Sequence, residues 1–350
     1  MERFTARITG RALGSTVRDG QSVLDKPVFA SEVTVAWKRP ISCCLAIFHK
    51  QLGDLVLLEP TLRLLAQASG SPIDLISRSG FQPLISLMPH VNFRRRPRKA
   101  VYKTLWCFDD RKKSALYALV AKADQKHLLI NPGAPIKWYH PKIFHHVLTP
   151  NLGNSHIAEY YWNNTVSDTS QNFRAPELQS PPDEWAYPLL SKNYLHVNPT
   201  SGWKSKNWTP EKWARTINKL LEVGISPIVI TSGKQEWQKE HCEMICLRLN
   251  QTIEGIWGET SMRNYLSIIW NAKMVLTPDG SASHIAAAFK RKCVTLFGHT
   301  DATHWHRETP YSQAIVTGDI IGQSFPRLSL LPEQPVIEAV IKLWTARVTA

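Results

Sequence analysis

From position 42 onward, short continuous apolar runs alternate with stretches whose apolar residues recur every three or four positions. The run 42–48 reads as a strand and Gly53-Asp54 as a turn. Leu55, Leu58, Leu62 and Leu65 then trace a helix that Pro60 should kink or whose start it should shift. Residues 73–77, 104–108 and 127–130 read as further strands, and 114–121 as a short helix. A polar stretch rich in Asn, Ser and Pro over about 150–190 reads as helix plus linker, and the alternation then restarts. Strands are predicted at 194–197, 228–231, 273–277 and 293–297. Thr209-Pro210-Glu211 opens a helix with Thr as cap and Pro in the first turn, and Gly224 closes it. Helices at 235–249, 261–271, 284–290 and 335–348 complete the pattern.

Strand alternating with helix, twice over, predicts an α/β chain of two doubly wound, parallel-sheet halves with a cleft between them. The expected division is an extension without clear period at 1–40, one domain at 41–175, a second at 176–330, and a closing helix at 331–350.

Composition narrows the partners. Of 350 residues, 42 are Lys or Arg and 28 Asp or Glu, a formal +14 that favours anionic partners. The six cysteines mostly lie in apolar runs and form no Cys-x-x-Cys pair, which predicts buried, reduced thiols in a cytoplasmic protein. No apolar run approaches the roughly 18 residues of a membrane span. Arg3, Arg7, Arg11 and Arg18 precede no apolar segment, unlike a secretory signal. Basic residues such as Arg94-Arg95-Arg96-Pro97-Arg98-Lys99 lack the interleaved aromatics of a nucleic-acid reader, so no nucleic-acid partner is expected.

Neither half carries a Gly-x-Gly-x-x-Gly or a P-loop lysine motif. Four strand-end loops carry the chemistry instead. Thr277-Pro278-Asp279-Gly280-Ser281-Ala282 leads from a strand into a helix, and its small residues let a phosphate approach backbone N–H groups. The alternative is a plain strand–helix loop whose small residues pack on the sheet. Asn198-Pro199-Thr200-Ser201-Gly202-Trp203-Lys204-Ser205-Lys206 is hydroxyl-rich and cationic, which also suits a phosphate. Asp54, heading a helix after the first strand, is either a cap or a base facing the cleft. Glu236, where a strand empties into a helix, is either a first-turn acid or a ligand for ribose hydroxyls. No Asp-x-Asp or His/Cys cluster accompanies these loops, so no metal is expected.

Together these segments resemble glycosyltransferase family 9, the ADP-heptose:lipopolysaccharide heptosyltransferases. The resemblance is carried by Leu52-Gly53-Asp54 through Arg63, Asn198-Pro199 through Trp208, Gly258-Glu259-Thr260-Ser261-Met262, Pro278-Asp279-Gly280-Ser281 through Ala288, and Leu296-Phe297-Gly298-His299-Thr300-Asp301. It implies a GT-B fold, two Rossmann-like domains with the donor on the second, and an inverting, metal-independent transfer. Asp54 resembles the general base and Lys206 the lysine that neutralises the leaving diphosphate. Thr200, Ser201, Glu236, Thr260, Asp279, Gly280, Ser281 and His284 are similar to donor-binding positions. The expected co-substrate is ADP-heptose, with no cofactor, and the expected acceptor is an anionic lipopolysaccharide core. Arg94, Arg95, Arg96, Arg98, Lys99, Arg111, Lys112 and Lys113 are expected to face that acceptor and the anionic inner face of the cytoplasmic membrane. The chain departs from the family pattern at Asp279-Gly280-Ser281, where Asp-Thr-Gly or Asp-Ser-Gly is usual, at Asn198-Pro199-Thr200, and at His49-Lys50-Gln51. A relative using another sugar nucleotide or acceptor, or a sugar-nucleotide epimerase of the same fold, are the competing enzymes.

Overall fold

The computed structural model describes residues 44–165, 172–187, 193–257 and 260–346, so the predicted extension 1–40 lies outside the described residues. The first half contributes strands β1 (Cys44–Ile47), β2 (Ile73–Ile76), β3 (Val91–Arg94), β4 (Tyr102–Cys107), β5 (Ala123–Leu129) and β6 (His146–Leu148). Its helices are α1 (Leu52–Ser69), α2 (Gln82–Ser86), α3 (Lys112–Val120), α4 (His140–Ile143) and α5 (Ile157–Asn163). The second half contributes β7 (Leu195–Val197), β8 (Ile228–Ser232), β9 (Glu254–Trp257), β10 (Met274–Pro278), β11 (Lys292–Phe297) and β12 (Ser312–Val316). Its helices are α6 (Pro210–Glu222), α7 (Glu236–Cys246), α8 (Met262–Asn271), α9 (Ser281–Ala288), α10 (Ala302–Trp305), α11 (Thr317–Ile321) and α12 (Glu333–Thr345).

Both sheets are parallel and share one topology. The first runs β3-β2-β1-β4-β5-β6 and the second β12-β11-β10-β7-β8-β9, which is the same order in its own numbering. That is the doubly wound order, with the switch point beside the first strand of each half. The central strands are buried on both faces. In β1, Cys44 and Ala46 face the core shared with α1 and α5, while Leu45 and Ile47 face α3 and α4. The first of these cores is continuous between the halves, joining Leu55, Leu58 and Leu62 of α1 to Leu266 and Ile269 of α8 and Ile285 of α9. The second sheet's other face packs against α6 and α12 through Ile217, Leu220, Val336 and Val340.

The helix signals hold where expected. Thr209 caps α6, its hydroxyl accepting from Lys212 N at 3.3 Å, and Gly224 follows with φ +83°. Pro60 neither breaks α1 nor shifts its start, because the helix runs unbroken from Leu52 to Ser69. Burial of nearly every residue from Gly53 to Leu62 offsets the missing hydrogen bond. Among the described residues no helix is long and apolar enough to cross a membrane.

Candidate active site

Five of the loops that leave carboxyl ends of the strands converge on one cavity of about 630 Å³. It is lined by Gln51, Gly53 and Asp54 from the first half, and by Ser201, Trp203, Lys206, Gln235, Asp279, Gly280, Ser281, His284, His299, Thr300 and Trp305 from the second. A second cavity of about 410 Å³ shares Ser201, Gly202, Gly280 and Ser281 with it, and continues to Thr200, Ser232, Lys234, Gln238, Thr260, Met262, Tyr265 and Phe81. Both cavities span the two halves. The second, with its Phe81, Met262 and Tyr265 walls, is the more suitable for a planar base.

The loops are fixed partly by their own sequence and partly by one another. Asp54 is the third residue of α1, and its carboxylate accepts from Gln51 N at 3.1 Å in a capping box. The cap and the cleft-facing acid are therefore one side chain. The loop after β7 is held by Asn207, whose side-chain oxygen accepts from Ser201 N at 2.9 Å, and by Gln238, which donates to Ser201 O at 3.0 Å. Lys206 ends this loop and places Nζ 2.5 Å from Asp279 Oδ2. The Thr300 hydroxyl, from the loop after β11, donates to the same oxygen at 3.0 Å. Asp279 itself is buried, and its N–H is bonded to Leu296 O at 3.0 Å. Gly280 adopts an extended backbone, and α9 begins at Ser281 against the cavity.

The halves touch where α1 and α9 start. A Cβ on Gly53 would lie 2.7 Å from His284 Cδ2 and 3.3 Å from Ser281 Cα, so no side chain larger than hydrogen fits without movement. Burial lowers the pKa of His284, against the opposing pull of Asp279 and Asp54, which favours a neutral imidazole at the junction. Behind Asp54, Lys50 is buried and donates to the Tyr161 hydroxyl at 2.6 Å. Desolvation lowers its pKa, and Asp54, Asp109 and Asp110 act in the other direction.

Of the residues expected from sequence, the two cavities gather Asp54, Lys206, Thr200, Ser201, Thr260, Asp279, Gly280, Ser281 and His284. Glu236 is not among them. Its side chain is 75% exposed and pairs with Lys239 at 3.3 Å. As the first residue of α7 it points outward, while the capping box Gln235–Gln238 turns Gln238 inward instead. The Gln235-x-x-Gln238 spacing was the available signal. The basic run also divides. Arg94 and Arg98 contact Asp74, fully buried in β2, at 2.9 and 2.7 Å, and so neutralise a core carboxylate instead of facing an acceptor. Arg95, Arg96, Lys99, Arg111, Lys112 and Lys113 remain exposed. Sequence reasoning missed Arg78, which donates to His49 O at 3.0 Å and to Gln51 Oε1 at 3.4 Å on the cavity rim.

Comparison with known proteins places this geometry in context. The model of the family described as glycosyltransferase family 9 (heptosyltransferase) matches residues 107–324. Lipopolysaccharide heptosyltransferase 3 of Escherichia coli (strain K12) is 26% identical over 166 residues, covering 44% of this chain and 47% of that protein. The match thus spans about half the length of that relative. Lipopolysaccharide heptosyltransferase 2 of the same strain is 23% identical over 297 residues, 73% of this chain and 82% of that protein. The solved E. coli ADP-heptose lps heptosyltransferase II superposes with a TM-score of 0.71 at 21% identity, covering 86% of this chain and 98% of that one, and identifies the two-sheet architecture as GT-B.

Proposed function

Because the chain belongs to glycosyltransferase family 9, the heptosyltransferases, we propose that it transfers a heptose from ADP-heptose to a lipopolysaccharide core acceptor, with inversion and without a metal ion. The observation that carries the reading is the single cavity in which Asp54 of one half faces Lys206, Asp279 and the start of α9 in the other.

In this reading the adenosine occupies the smaller cavity near Thr260, and the diphosphate lies over Gly280, Ser281 and Lys206. The acceptor hydroxyl attacks the anomeric carbon from the face opposite the diphosphate, its proton passes to Asp54, and the bond to the leaving phosphate oxygen breaks. Lys206 and the free N–H groups at the start of α9 stabilise the charge that develops on the diphosphate. That arrangement supplies the electrostatic part of catalysis, so a metal ion is not required. Asp54 needs only to be ionised and in line. The acceptor side is the first half, where exposed cations around Arg111 suit an anionic core, and an acceptor anchored in a bilayer would bring the enzyme to an anionic membrane face.

The test is release of ADP from ADP-heptose, dependent on a core oligosaccharide acceptor and undiminished by a chelator. Saturable binding of another nucleoside diphosphate in preference to ADP would overturn the donor assignment. Activity lost to chelator and restored by magnesium or manganese would overturn the metal-independent step.

A further inference from the structure

The positive charge of the chain is concentrated in one layer of the first half. Between positions 94 and 145, Lys and Arg outnumber Asp and Glu thirteen to three, against 42 to 28 in the whole sequence. These residues cover the face of the first sheet that carries Leu45 and Ile47. Here α3 and α4 pack, and Arg98 of segment 95–101 reaches the buried Asp74. Arg94 and Arg98 are spent on that carboxylate, and Lys126 and Lys137 donate to Ala118 O and to Asp110. Arg95, Arg96, Lys99, Lys112, Lys113 and Lys122 stay exposed.

The same layer presents large apolar side chains to solvent. In α3 the buried positions are Ser114, Ala115 and Ala118, whereas the outward stripe is Lys112, Lys113, Leu116, Leu119 and Val120. Small residues face inward and large ones outward, the inverse of a helix that exists to fill a core. Leu116 and Val120 are 61% and 62% exposed, and Trp138 is 77% exposed. The exposed Val101 lies beside the end of this stripe, since its neighbour Tyr102 donates to Lys122 O at 2.9 Å. Trp138 lies beside its start, since Lys137 ties that loop to Asp110, just before α3. The Lys142 ammonium lies 5.0 Å over the Trp138 ring. An indole flanked by lysines, next to exposed aliphatics, is the composition of a membrane–water interface and not of an ordinary solvated surface.

We propose that the outward stripe of α3, with Val101 and Trp138, docks the protein on an anionic bilayer. The apolar side chains enter the boundary between headgroups and acyl chains, and the flanking lysines and arginines meet lipid phosphates. The proposal rests on the reading of a bilayer-anchored acceptor and specifies which face meets the bilayer. Because α3 begins just beyond the carboxyl end of β4, its cationic end lies toward the active-site side of the sheet and its apolar end away from it. A second copy of this chain is a poorer occupant, since a two-fold contact would set Lys112 and Lys113 against like charges with no carboxylate on α3 to offset them.

The experiment is flotation of the full chain with phosphatidylcholine vesicles, with and without phosphatidylglycerol. Wild type is expected to float with the anionic vesicles and to detach as salt rises. The triple variant Leu116→Ser, Leu119→Ser, Trp138→Ser should bind at least ten-fold more weakly, with unchanged thermal unfolding and unchanged turnover on a lipid-free acceptor. Lys112→Glu with Lys113→Glu should weaken vesicle binding by about five-fold or more per position, the value of one juxtamembrane cation. Vesicle binding by the triple variant at the wild-type level would overturn the proposal, as would a wild-type dimer that ignores vesicles and that the triple variant dissociates. A wild type that floats with anionic vesicles but transfers no sugar would sink the transferase reading and leave the docking surface standing.

Discussion

Lys206 and Asp279 meet with 2.5 Å between Nζ and Oδ2, and Thr300 donates to the same carboxylate oxygen at 3.0 Å. The lysine is thereby held at the cavity wall, beside the start of α9, before any anion is present. Its charge is oriented in advance, which is the condition for electrostatic stabilisation without reorganisation.

Replacing Lys206 by Ala should therefore weaken binding of ADP and lower turnover by about 10²-fold or more, the scale of losing one preorganised donor. Lys204, two residues away, lies over the Trp237 ring at 5.4 Å and does not line either cavity. Lys204→Ala should leave both quantities near wild type. Calorimetric titration with ADP, alongside steady-state rates, reads the contrast, and equal effects at the two positions would refute it.

Asp54→Asn is expected to reduce kcat by roughly 10²-fold or more with little change in donor KM. Asn keeps an oxygen for the Gln51 N–H, so the cap of α1 survives and the unfolding midpoint should not move. A large stability loss with intact turnover would return Asp54 to a purely structural role.

Gly53→Ala places a methyl group 2.7 Å from His284 Cδ2 and 3.3 Å from the Ser281 backbone. The variant should lose about 1–3 kcal/mol by urea unfolding, as overpacked sites do. It should also lose activity, because the loop at 279–281 must shift. Wild-type values for both would show that the two helices separate freely.

Glu59 provides a pH signature. It is buried in α1 beside Arg63 at 3.4 Å and His90 at 3.3 Å, and it accepts from Glu177 N at 2.9 Å. Burial raises its pKa to about 7 despite Arg63. A carboxyl whose folded pKa exceeds its unfolded value favours the fold fully below about 4.5, and that contribution is lost as pH rises toward 7. Glu59→Gln should thus gain more stability at pH 8 than at pH 5, by about 1–3 kcal/mol. Equal effects at the two pH values would contradict the assignment.

The eight strands evident in the sequence are the inner strands of the two sheets, and the four it did not reveal are all edges: β3, β6, β9 and β12. Most inner strands are buried on both faces and read as apolar runs, as in Cys44-Leu45-Ala46-Ile47. Strand β5 reads so only at its end, where Leu128 and Leu129 are buried while Asp124 and Gln125 are exposed. An edge such as His146-Val147-Leu148 is exposed in part and too short to show a period. The candidate site was legible at most loops that follow inner strands. Arg94 was not, because its destination depends on Asp74, 20 residues away, which a local pattern does not report. Glu236 follows an inner strand too, and only the local Gln235-x-x-Gln238 capping box signalled that Gln238, not Glu236, turns inward.

The close approach of Gly53 to the start of α9 also limits how the two halves can move. The same seam carries a continuous apolar layer, from Leu55, Leu58 and Leu62 of α1 to Leu266 and Ile269 of α8 and Ile285 of α9. Prising the halves apart would open that layer to water, so the least costly motions are those that slide or roll along the seam and keep it closed. Asp54 and Ser281, set beside the seam, then stay near one another while the mouth of the cleft adjusts to its ligands.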